Sequence, residues 1–250
     1  MKVNVFLLLL PGLILSVSFT FSQDASEIVK KADNLMQGVS SRIEMEMTII
    51  RPTWKRSVRF KSWSKGRDLS LTLITDPPKE SGQTFLKLKN DMWSWNPTIN
   101  RMIKLPPSMM SQGWMGSDYT NDDILKESSI VLDYIHSIMG SEAMAGYDCW
   151  KIKLIPKEEA AVVWGKIILW ISKMEYYELK AEYYDEQETL VKSHLLSDIK
   201  FMYDRKIPCH FEIIPADKPS QKTVVDILSV KFDIPIQDEF FSQKNMKTIK

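Results

Sequence analysis

Residues 42–52 read RIEMEMTIIRP, and Ile43, Met45, Met47 and Ile49 alternate there with Glu44, Glu46 and Thr48. A period of two with all the apolar side chains in one set is what a strand with one buried face requires. Outward from it the pattern repeats. In KRSVRFKSWSK, residues 55–65, Val58 and Phe60 oppose Arg59 and Lys61; in DLSLTLIT, residues 68–75, Leu69, Leu71 and Leu73 oppose Ser70 and Thr72. Lys65, Gly66 and Arg67 supply the turn between these two.

After the break at Pro77 and Pro78, residues 81–106 predict two or three more strands, with turns near Asn90 and at 96–98. Trp93 and Trp95 share one face of a strand, and Ile99 and Ile103 share one of the next. Residues 134–156 predict a hairpin turning at Ala145 and Gly146, and five further strands lie at 162–172, 178–185, 189–201, 209–215 and 222–232. About ten or eleven short antiparallel strands at this spacing predict a mainly β chain, a sandwich or a barrel. Upstream, Ile28, Val29, Ala32, Leu35 and Met36 have helical spacing and Gly38 is a stop, which predicts an amphipathic N-terminal helix over 24–38. Phe240 and Phe241 are expected to dock a closing turn.

One stretch breaks the strand pattern. Residues 104–125, KLPPSMMSQGWMGSDYTNDDIL, form a loop too long to be a plain connection and too apolar, with Met109, Met110, Trp114 and Met115, to be disordered. Pro106 and Pro107 stiffen its start, while Gly113 and Gly116 bracket the Trp–Met tip with permissive backbone. Two readings fit: a lid with an apolar tip, or a plug that fills one end of an ordinary core. Thr120 or Asn121, followed by Asp122 and Asp123, reads as the capped start of a short helix over 122–127.

Residues 1–22 have the form of a secretory signal peptide: Lys2, an apolar run from Val5 to about Val17, and small residues at Thr20 and Ser22. The expected product is an exported single domain over 23–250, without lipidation, since no cysteine lies near the cleavage point. Removing Lys2 brings the 33 basic side chains level with the 32 acidic ones, which argues against nucleic acid as a partner. The two cysteines, Cys149 and Cys209, are too few for a disulfide framework. His136, His194 and His210 each fall within a predicted strand without metal-ligand spacing, and no nucleotide, hydrolase or metalloprotease motif is present. Asp118, Asp122 and Asp123 lack calcium-loop spacing and read as helix capping. The expectation is a protein without catalytic residues, metal or cofactor. Arg56 and Arg59, beside Arg51, Lys55 and Trp54, read either as a head-group contact or as a solvated hairpin end.

The stretch PPSMMSQGWMGSDYTNDDIL, residues 106–125, resembles the corresponding part of periplasmic outer-membrane lipoprotein-sorting proteins, a LolA-like family, and MGSDYTNDD is its specific part. The likeness extends through AGYDCWKIKLIPK (145–157), ILWISK (168–173), AEYYD (181–185) and VKFDIPIQDEFF (230–241), and is closer to the broad branch of the family than to LolA itself. The resemblance implies an unclosed, strongly curved antiparallel β-barrel of about eleven strands, with the N-terminal helix and a helix/loop lid over an apolar concave face. It also implies a periplasmic carrier of acylated lipoprotein or another lipid, with an inner-membrane ABC-type or other export transporter and an outer-membrane acceptor as partners. The alternatives are a lipid- or lipoprotein-sensing signalling module and an accessory protein of an envelope export pump. The expected cavity and lid residues are Met45, Met47, Ile49, Val58, Phe60, Leu69, Leu71, Leu73, Trp93, Trp95, Met109, Met110, Trp114 and Met115, with Arg56 and Arg59 at a head group.

Overall fold

The structure, a computed structural model, describes residues 24–126, 130–160 and 162–250; the expected signal peptide over 1–22 lies outside the described residues. The alternating segments all become strands: β1 (Ser40–Arg51), β2 (Trp54–Lys65), β3 (Leu69–Asp76), β4 (Thr84–Leu88), β5 (Asp91–Asn96), β6 (Arg101–Lys104), β7 (Tyr134–Met144) and β8 (Tyr147–Pro156). They continue with β9 (Lys166–Ser172), β10 (Glu178–Tyr184), β11 (Leu190–Met202), β12 (Arg205–Pro215) and β13 (Lys222–Phe232). All pair antiparallel in one 13-stranded sheet, ordered β6-β5-β4-β3-β2-β1-β13-β12-β11-β10-β9-β8-β7. β6 and β7 are its two edges, so the sheet does not close on itself. The count exceeds the expected eleven by two, and residues 84–104 hold three short strands, the upper of the two numbers expected there. Ile99 belongs to none of them; it sits in the turn after β5 and is exposed.

Curvature follows from which strands share a lining. β3 and β9 are seven strand steps apart, about 34 Å on a flat sheet at roughly 4.8 Å per step. Thr72 of β3 and Ile167 of β9 nevertheless border one cavity, so the sheet must curl round it. Helix α1 (Ala25–Gln37) covers one wing of the concave face. Its N-cap Asp24 accepts from the Ser26 backbone N–H at 3.0 Å, and Gly38 ends it at φ 64°. Ile28, Val29 and Ala32 are buried against Trp150, Ile152, Leu154, Ile167 and Leu169 of β8 and β9.

The convex face is covered as well, beside β3–β5. The C-terminal segment, with helix α3 (Gln243–Met246), lays Phe241 and Met246 against Leu71, Leu86 and Trp95, and Thr84 Oγ1 donates to the Met246 carbonyl at 3.0 Å. On β3 the polar side, Ser70 and Thr72, faces the cavity and the leucine side is covered by the C-terminal segment, so the apolar face of the alternation is not the concave one.

Candidate functional site

The concave face and α1 enclose a cavity of about 310 Å³, at the low end of the range for small-molecule sites. It is chemically uneven. Met45, Met47, Phe60, Trp114, Phe211 and Val225 make one part of the wall apolar, whereas Ser41, Ser62, Ser64, Ser70 and Thr72 line another. Four of these hydroxyls pair across the strands: Ser41 and Ser64 lie 2.8 Å apart and Ser62 and Thr72 3.0 Å apart. The cavity reaches the exposed Gly66 in the β2–β3 turn. There Arg67 donates to Asp33 and to Asn34 (3.3 Å) of α1, which ties the helix to the turn across the opening. Burial pushes the Asp33 carboxyl up, against the pull of Arg67.

The 106–120 loop is folded tightly onto this wall. Trp114 is buried, with its ring edge-on to Phe60 and Phe85 at 5.4 Å from each. The Trp114 N–H donates to the Tyr119 carbonyl at 2.7 Å, and Asn121 Nδ2 donates to the Met109 carbonyl at 2.9 Å. Gly113 is present for space more than for flexibility: its φ is −62°, and a Cβ there would stand 2.5 Å from the Ser117 carbonyl oxygen. The positive-φ positions are Met115 (53°) and Gly116 (77°). At the loop's return, Arg51 grips Asp118 through two hydrogen bonds of 3.0 and 3.1 Å, and Thr223 Oγ1 donates to Asp118 at 2.7 Å. Asp118 is thus the loop's anchor. Thr120 is the cap of helix α2 (Asn121–Lys126): the Asp123 N–H donates to its Oγ1 at 3.0 Å, and its own N–H donates to the Asp123 carboxylate at 2.7 Å.

The expected cavity residues divide. Met45, Met47, Phe60, Leu69 and Trp114 border the cavity. Ile49 and Val58 are fully buried in the cluster beneath the loop, with Met110 and Met115 packed against it. Met109, half-buried, gives its carbonyl to Asn121. Leu71, Leu73, Trp93 and Trp95 correct the expectation. The register Ser62↔Thr72 and Phe60↔Ile74 places the even-numbered residues of β3 on the concave side. Past Leu69, which at the start of β3 touches both the cavity and the convex cluster, the odd ones face the convex side: Leu71 packs there with Trp93 and Trp95 of β5 under the C-terminal segment, and Leu73 lies on the same face of β3 as Leu71. Arg56 and Arg59 do not form a joint head-group contact: Arg56 donates to Glu80 (2.5 Å) and the Met115 carbonyl (3.3 Å), while Arg59 reaches Glu46 (3.0 Å) in an exposed pair across β1.

Sequence reasoning missed a buried polar cluster in the cavity wall. Lys192 of β11 pairs with Asp123, with only 5% and 9% of the two side chains exposed. The Lys192 ammonium also lies 4.8 Å from the Trp164 ring centre and 5.3 Å from that of Tyr183. Burial alone would raise Asp123, but the charge and hydrogen bond of Lys192 outweigh it and hold the carboxyl below its usual range. Two residues on, His194 lies tilted against Tyr183 at 4.5 Å and edge-on to Tyr119 at 5.4 Å, and burial pushes its pKa down to about 3, so the imidazole is neutral. The alternation of Lys192, His194 and Leu196 was the available signal; a lysine on the apolar side of a strand is read by default as solvent-facing. Among the described residues no group of three or more His, Cys, Asp or Glu could hold a metal ion, and Cys149 and Cys209 are free and buried.

A family profile described as "Uncharacterized protein" matches residues 66–248. The chain belongs to that family. Its fold is LolA-like, as three solved structures show. A DUF1329 family protein from Desulfovibrio piger superposes with a TM-score of 0.80 at 23% identity, over 90% of this chain and 100% of its own. A domain named for outer membrane lipoprotein sorting, from Vibrio parahaemolyticus, gives 0.78 at 20% identity over 89% and 98%. A LolA superfamily protein from Nitrosomonas europaea gives 0.77 at 23% identity over 90% and 100%. No curated protein matches the chain.

Proposed function

We propose that the protein is an extracytoplasmic carrier that shields the acyl part of a lipid or lipoprotein and hands it to membrane partners without chemical change. The observation that carries this reading is the cavity itself: a curled sheet holds about 310 Å³ of space against Met45, Met47, Phe60 and Trp114. The LolA-like fold supports it. An acyl chain of roughly fourteen methylenes gains about 11 kcal/mol on leaving water, so a carrier must offer comparable apolar cover and still let go. The loop that bears Trp114 is the cover in this reading. The tie between Arg67 and α1 is the second closure, at the end marked by Gly66.

The test is purification of the exported chain without detergent, followed by native mass spectrometry and lipid extraction, with a fluorescent acyl probe on the stripped protein. Co-purified lipid or acylated protein, and stoichiometric, reversible uptake of the probe, are expected. A lipid-free mass together with no uptake would remove the carrier reading. Trp114→Ala should weaken probe retention and speed its release; unchanged binding and release would make Trp114 a plain core residue.

A further inference from the structure

Among the described residues, three buried side-chain nitrogens on cavity-lining residues lack a hydrogen-bond partner, those of Arg67, Trp114 and His194, and the last two have no role in an apolar carrier. Trp114 and His194 both line the cavity and are only 3% and 9% exposed. The indole Nε1 of the first and the imidazole Nε2 of the second have no hydrogen-bond partner among the described residues. Buried polar groups are nearly always paired, and each exception calls for a reason. The two are linked through Tyr119, whose carbonyl accepts from the Trp114 backbone N–H and whose ring meets His194 edge-on.

We propose that Trp114 and His194 form a polar subsite that takes the uncharged ester, amide or hydroxyl group at the head of an acyl chain; this rests on the carrier reading. Each part of the cluster selects for that chemistry. The indole N–H can only donate, so it needs a carbonyl or hydroxyl oxygen. A neutral imidazole accepts at one nitrogen and donates at the other, which suits an uncharged partner of either kind. A carboxylate or phosphate is disfavoured beside this cluster, because Asp122 and Asp123 line the cavity there and Lys192 behind them is committed to Asp123, while the cations that line the cavity, Arg67 and Lys87, act on Asp33 of α1. A cationic head group would meet Lys192. Both orphan atoms are enclosed, so the ligand must part the aromatic rings to reach them, and engagement has to register at the imidazole itself. Two sources present this chemistry: a neutral glycerolipid and the acylated glyceryl-cysteine of a lipoprotein.

The experiment uses the whole exported chain, stripped of lipid, and displacement of a fluorescent acyl probe by four ligands. These are 1-monooleoylglycerol, a triacylated glyceryl-cysteine peptide, oleate and an anionic lysophospholipid. The neutral pair should bind about tenfold more tightly than the charged pair, the worth of one or two hydrogen bonds. His194→Phe and Trp114→Phe, which keep the ring packing, should shrink that ratio towards one. In parallel, the imidazole nitrogens of wild-type protein labelled with ¹⁵N-histidine should shift at His194 with the neutral ligands and stay in place with oleate. The order of the two neutral ligands identifies the source. Equal binding of neutral and charged ligands, a ratio that survives His194→Phe, or an unmoved His194 signal with neutral ligand bound would overturn the subsite while leaving the carrier intact. A probe that does not bind at all overturns the carrier reading and the subsite with it.

Discussion

Lys192 and Asp123 lie 69 positions apart in the chain and form one buried pair. Removing one partner of such a pair leaves a charge uncompensated, at a cost of about 3–5 kcal/mol. Lys192→Met is therefore expected to lower the urea midpoint sharply, and Lys192→Met combined with Asp123→Leu to recover much of the loss; a single variant as stable as wild type would contradict the pairing. His194 sets a pH signature at the same place. Its folded pKa of about 3 lies below the unfolded value, so the unfolded chain takes up the proton first as pH falls through about 6.5. Its stabilising contribution is present above that pH and is lost between about 6.5 and 3, with a slope of about 1.4 kcal/mol per pH unit for one proton. The groups facing it are Tyr119, Tyr183, Lys192 and Asp123. His194→Phe should flatten that stretch of the stability profile. Sequence reasoning found the cap at Thr120 and Asp123 because capping is local, and missed the partner of Asp123 because it is distant.

The loop and the C-terminal segment are the elements whose roles depend on what they cover. The loop's glycines and prolines suggested hinges, but its hydrogen bonds to Tyr119, Met109 and Arg51 make it a closed unit held at Asp118. Asp118→Asn removes the charge from the grip of Arg51. Amide hydrogen exchange over 106–120 should then speed up while β8 and β9 stay protected; unchanged exchange would mean that the packing of Trp114 alone holds the loop. The C-terminal segment is the reason the expectation for β3 and β5 pointed to the wrong side. With Phe241 and Met246 buried against Leu71, Leu86 and Trp95, Phe241→Ala should cost about 3–5 kcal/mol, measured by denaturant unfolding. It should leave acyl-probe affinity unaffected, because that cluster lies across the sheet from the cavity. Loss of both together would place the cluster in the ligand's path.

For the molecule as a whole, a ligand bound only by the folded state adds stability by mass action, about 2.7 kcal/mol at a hundredfold excess over Kd. An accepted acyl ligand should therefore raise the Tm in proportion to the logarithm of its concentration, and a ligand that leaves the Tm flat is not cargo for the cavity. The strand series, the N-terminal helix with its Gly38 stop, the irregular Trp–Met loop and the likeness that implied an open barrel were all legible in the residues. Each of those is written in short-range patterns of period, cap or motif. Only the tertiary structure decided which face of each strand is concave, because alternation marks two faces without naming the inner one and here both faces of β3–β5 are covered. The tertiary structure alone brought Ser62, Thr72 and His194 to the wall of one cavity, since strand pairing and curvature join residues from strands distant in sequence.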